Sequence, residues 1–174
     1  MRNFSVSFCM GLWLLSASQG HCEDATSVSV CDLEANPAAY DHKLIRITGQ
    51  VSFGFENFSL SSKECGKKLP DIWLAYGGTL KDGAIPNGRE PRSEQPLTVE
   101  GITTHLIEDS PFHSFDALIH KPLPNGGSNS LKATLVGTYF AGKPGTYGIK
   151  EWRGFGMWGM YSLFVIQQVV STEK

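Results

Sequence analysis

The chain has 174 residues with a formal net charge of −2, 41% hydrophobic and 18% charged side chains, so one ordinary globular domain fits its length. Gly (19) and Pro (9) exceed usual frequencies without reaching low complexity, which argues against disorder, collagen and coiled coil. A slightly acidic balance also disfavours a phosphate-binding nucleic-acid module, because neutralising phosphates needs a basic stripe.

Arg2 and the apolar segment 4–15, followed by the small residues Ser16, Ala17, Ser18 and Gly20, read as a secretory signal peptide over residues 1–20. The segment is shorter than the roughly 20 apolar residues of a bilayer-spanning helix. Its removal takes Arg2 and no acidic residue, leaving the remainder one charge more negative. Residues 21–27 read as a flexible tail. Cys22 lies just past the apolar stretch, but His21 stands where a lipobox takes Gly or Ala. The expected address is secreted or periplasmic, where disulfides persist. Of Cys22, Cys31 and Cys65, the last two border structured segments, so a Cys31–Cys65 bridge is expected, with Cys22 left over.

The main domain is expected over 28–171. Residues 32–40 carry an early Asp32 and a Pro37 that must end or restart a helical turn, which predicts one or two short turns. Segment 44–52 alternates: Ile45, Ile47 and Val51 share one face and Arg46, Thr48 and Gln50 the other, the pattern of a half-buried strand. Gly49 predicts a bend in it. Segment 53–61 predicts a second strand and 72–76 a third, while 79–96 reads as an irregular insertion rich in Gly and Pro. Segments 97–102 and 131–140 resume the period of two. Between them, Phe112, Phe115 and Ile119 stand at helical spacing. The last strand, 161–170, contains Leu163, Phe164, Val165 and Ile166 in succession and should be central, covered on both faces. The pattern predicts a mainly β fold: a small five- to six-stranded, partly open antiparallel barrel of OB-like type with one or two short helices.

Ser29-Val30-Cys31-Asp32-Leu33, the run Asn36 to Lys43, the strand through Val51, Cys65 with Ile72-Trp73-Leu74, and the closing Tyr161 to Ile166 together resemble a family of uncharacterised secreted bacterial proteins. That resemblance implies an OB-like fold and export, and no activity.

Three kinds of site are weighed. His105, Asp109 and His113, within a segment that also holds Glu108, Asp116 and His120, offer the imidazoles and carboxylates that zinc takes. The His-to-His spacings match no i, i+4 ligand pair on one helix and the segment contains Pro111, so a solvated loop is the favoured reading and a metal-dependent hydrolase the alternative. Phe55, Trp152 and Trp158 are candidates for rings that stack on a ligand such as a glycan or peptide. No catalytic Ser, Cys or carboxylate constellation stands out, and no cofactor is expected. The reading is an exported, non-catalytic binding or interaction module, with an envelope structural protein acting through protein contacts as a further alternative.

Overall fold

A computed structural model describes residues 25–54, 57–65, 72–78, 96–122, 127–143, 145, 153–156 and 159–173. The proposed signal peptide, most of the 79–96 insertion and Phe55, Trp152 and Trp158 lie outside these described residues.

The sheet begins earlier than the sequence suggests. Thr26–Ser29 forms strand β1, which takes the last residues of the expected flexible tail into a ladder. Helix α1 (Val30–Ala35) follows at once, because Ser29 and Asp32 make a capping box: the Ser29 hydroxyl accepts from Asp32 N (3.1 Å), and the Asp32 carboxylate accepts from Ser29 N (3.3 Å). These bonds satisfy backbone donors that have no partner within the helix. Asn36 ends α1, and Pro37 opens α2 (Pro37–Tyr40), where its fixed φ suits the first position. Cys31 of α1 is joined to Cys65, with a Cα separation of 5.1 Å, as expected.

Strand β2 (Leu44–Gly54) is the spine of the fold. Ile45, Ile47 and Val51 are buried while Arg46, Thr48 and Gln50 face outward, as the alternation requires. Along one edge β2 pairs antiparallel with β7 (Asn129–Phe140). Along the other it pairs first with β1, in parallel, and then with β3 (Asn57–Ser61). Gly49 marks that exchange of partners. A β-carbon there would lie 2.8 Å from Leu60 Cδ1 and 2.9 Å from the Ser61 carbonyl oxygen, so the close crossing needs glycine.

Strand β3 continues to β4 (Ile72–Tyr76), which runs parallel to β8 (Leu163–Glu173), and β8 is antiparallel to β7. The order β2-β3-β4-β8-β7 therefore returns to β2, and the sheet curls into a partial ring. The two parallel ladders depart from a purely antiparallel plan. Nothing in period-two patterning sets strand direction. Strand β8 is central, as its apolar run demands, with Phe164 and Ile166 facing the ring interior and Leu163 and Val165 the opposite face.

The expected single strand 97–102 is instead two short ones, β5 (Leu97–Val99) and β6 (Ile102–Thr104), joined by Glu100 and Gly101. Both turn residues have positive φ (48° and 82°), the geometry of a tight two-residue hairpin turn, which reverses the chain. This hairpin forms its own sheet. Helix α3 (Ser110–Ile119) starts at an Asp109 cap with Pro111 in its first turn and sends Phe112, Phe115 and Ile119 into the ring's core. No described helix is long and apolar enough to cross a membrane.

Candidate functional site

The outer face of the ring carries a polar row set by strand register. Ser130 on β7 lies opposite Ser52 on β2, Ser52 opposite Ser59 on β3, and Ser59 opposite Trp73 on β4. Directly opposed residues share a face, with their β-carbons about 5 Å apart. The row runs from solvent inward: Ser130 is exposed, Ser52 half-buried, and Ser59 and Trp73 only 1% and 3% exposed. At its outer end Gln50 donates to Ser130 Oγ (2.6 Å), and the hydroxyls of Ser52 and Ser130 are 3.4 Å apart. At its inner end neither Ser59 Oγ nor Trp73 Nε1 has a hydrogen-bond partner among the described residues. A buried polar group in that state costs about 1–3 kcal/mol, so two adjacent ones call for an explanation.

One side of the Trp73 ring system is tightly covered. A β-carbon on Gly156 would come within 2.8 Å of the six-membered ring at Cε3, and the Tyr161 ring is centred 5.2 Å away. Leu97 of the β5–β6 hairpin belongs to the same apolar cluster, with Val99 and Ile102 packed against it. The hairpin thus covers part of the outer face without joining the main ladders.

A side-chain contact fastens this cover. Asp41 and His42 form the turn between α2 and β2, where Asp41 Oδ1 accepts from Ala141 N (2.8 Å) and His42 N donates to the Tyr139 carbonyl (2.8 Å). His42 Nε2 reaches Glu100 Oε2 at the hairpin turn (2.6 Å), and its ring stands edge-on to Phe140 at 5.4 Å. Asp41, His42 and Glu100 place one ligand-type atom each within 4.8 Å of one another. Their atoms are already engaged with each other and with the backbone, and what the geometry shows is a clasp between the hairpin and the end of β7.

Of the residues singled out in the 105–120 segment, Asp116 and His120 pair at 3.0 Å, whereas His105, Asp109 and His113 are not brought together. Asp109 Oδ1 is the cap of α3, accepting from Phe112 N (3.0 Å), while His105 and His113 are exposed. Among the described residues the group of three such side chains within ligating distance of one another is Asp41, His42 and Glu100, and not His105, Asp109 and His113. No family model, curated protein or solved structure matches this chain.

Elsewhere, Leu33, Glu34, Pro37, Ile72, Tyr139, Arg153 and Ser162 line a cleft of about 20 Å³, room for one water and too small for a substrate. Burial raises the Tyr139 phenol above its ordinary pKa, and a hydrogen bond with Ser162 partly offsets that rise. The stacking candidates Phe55, Trp152 and Trp158 lie outside the described residues. Sequence reasoning missed Ser52, Ser59 and Ser130 as a group. Each is an outward residue of a strand, and only the pairing register aligns them.

Proposed function

We propose that this chain is an exported, non-catalytic binding module of OB-like type whose ligand lies on the outer face of β7, β2, β3 and β4. The cyclic strand order, the parallel closure of β4 on β8 and a helix preceding β7 support the OB-like assignment. Barrels of that type commonly bind through their second and third strands and neighbouring loops. By order in the ring those strands are β3 and β4, the two that carry Ser59 and Trp73. The Cys31–Cys65 bridge is compatible with export to an oxidising compartment.

The observation that carries the reading is the pair of buried polar atoms, Ser59 Oγ and Trp73 Nε1, without hydrogen-bond partners among the described residues. A ligand that satisfied both would recover the hydrogen bonds they forgo. A serine becomes a nucleophile only beside an activating base, and Ser59 Oγ has no hydrogen-bond partner among the described residues. Its hydroxyl is therefore read as a ligand contact.

The test is a thermal-shift panel of neutral oligosaccharides, short peptides and divalent metals. A native-selective ligand at 100 times its Kd stabilises by about 2.7 kcal/mol. The expected result is a stabilisation that Trp73→Phe abolishes and that His105→Ala/His113→Ala leaves intact. Stoichiometric zinc lost in that histidine double variant would overturn the reading in favour of the hydrolase.

A further inference from the structure

We propose that Asp41, His42 and Glu100 form a zinc site that fastens the β5–β6 hairpin to the end of β7, an inference independent of the binding-module reading above. Each of the three offers one ligand-type atom, and these atoms lie within 4.8 Å of one another. Zinc bonds of about 2.0–2.2 Å to imidazole nitrogen and carboxylate oxygen hold tetrahedral ligands roughly 3.3 Å apart. The contacts present bracket that spacing: Glu100 Oε2 lies 2.6 Å from His42 Nε2, and Asp41 Oδ2 lies 3.8 Å from His42 Nδ1. An ion can reach them, because the side chains of His42, Asp41 and Glu100 are 43%, 35% and 34% exposed. The short contact between His42 and Glu100 does not close the site. It is held by a single proton, and metal binding displaces that proton.

The local charge calls for a cation. Lys43, next in the chain, and Arg153, which like Asp41 acts on Tyr139, form no ion pair with either carboxylate among the described residues. With the imidazole neutral, as a metal ligand must be, the group carries two negative charges that a divalent ion cancels. Its donors select the ion. Calcium takes six to eight oxygens and magnesium a near-octahedral shell of them, whereas this group supplies a nitrogen, and Asp41 Oδ1 already accepts from Ala141 N (2.8 Å). One imidazole with two carboxylates suits zinc, with water in the fourth position. The ligands are also held in place. The Ala141 bond orients Asp41, His42 N donates to the Tyr139 carbonyl, and the His42 ring stands against Phe140; outer contacts of this kind fix ligand geometry. Glu100 belongs to the hairpin turn, 58 residues further on. An ion shared with His42 therefore ties down the hairpin, whose Leu97 packs in one cluster with Trp73 and Phe140.

The experiment titrates the EDTA-treated, ¹⁵N-labelled full chain with zinc chloride and follows the histidine ring nitrogens and the hairpin amides. Zinc is expected to move a His42 ring nitrogen and to slow amide exchange at Val99 and Ile102, and a large excess of magnesium or calcium should do neither. His42→Gln and Glu100→Gln should each weaken zinc binding about tenfold or more, while His105→Ala/His113→Ala leaves it unchanged. Zinc that moves another histidine and not His42 overturns the proposal, as does binding that survives both glutamine variants, an equal response to magnesium or calcium, or no response at all. A His42 shift without slower hairpin exchange overturns the fastening role. Should a glutamine variant fail to fold, the His42 resonance of the parent chain still decides. The binding-module reading stands or falls separately, on the Trp73→Phe comparison.

Discussion

Replacing both half-cystines, Cys31→Ser/Cys65→Ser, tests how much of the fold's stability comes from one cross-link. The bridge spans 34 residues of sequence and ties α1 to the loop after β3. In the loop-closure model, releasing a loop of that length restores about 4 kcal/mol of denatured-state entropy. Both cysteines are half-buried, so serine in their place adds little desolvation cost, and loop entropy should dominate. A chain of this size shifts its Tm by about 2–4 °C per kcal/mol, so the double variant should melt roughly 10 °C below the oxidised protein. Circular dichroism melting and urea unfolding, each with and without reductant, measure this. Reductant should lower the parent to the level of the variant and leave the variant unchanged. Hydrogen exchange should show the loosening first in α1, whose Val30 and Leu33 anchor it in the core. A loss below about 1 kcal/mol, against the value expected from chain entropy, would refute the reasoning. So would labelling of Cys31 and Cys65 as free thiols in the unreduced protein.

Two further perturbations address the ring itself. Gly137→Ala should destabilise by about 3 kcal/mol or more, because its β-carbon would overlap the Val165 carbonyl oxygen and lie 2.9 Å from the Phe164 ring, both on β8; an unchanged urea midpoint would contradict the packing of β7 on β8. Tyr139 gives a signed pH dependence: its pKa is raised in the folded chain, mainly by burial, so its neutral form is the one folding favours. Its contribution is complete below the unfolded tyrosine pKa of about 10 and is lost as pH climbs through the higher folded value. Tyr139→Phe should therefore lose less stability than the parent between pH 8 and 11 in urea titrations, and parallel losses would refute the assignment.

The fold was legible wherever burial alone decides. Ile45, Ile47 and Val51 announce β2, the four apolar residues from Leu163 announce a central strand, and Phe112, Phe115 and Ile119 announce α3. Strand β1 was not legible, because three of its four residues are exposed and polar and its support comes from pairing with β2. The turn inside 97–102 was hidden because Glu100, which is not a usual left-handed residue, takes φ 48° beside Gly101. The site was less legible still. Asp109, a metal ligand only in the alternative reading, is a helix cap, a role that needs the helix start to be known. His42 and Glu100 are 58 residues apart, and Ser59 meets Trp73 only through the β3–β4 register. Local pattern carries none of that information.

The return of β2 onto β7 has a kinetic consequence. Thr48 bonds Thr134 across 86 residues of chain, and neither edge of that ladder has a local substitute. Search time for such distant partners dominates the folding of β proteins, which places acquisition of the native state in the millisecond-to-second range. Until β8 docks between β4 and β7, both of those strands carry an open edge, and the half-assembled polypeptide is exposed to mispairing with its neighbours. Dilute refolding should therefore succeed where concentrated refolding yields aggregate.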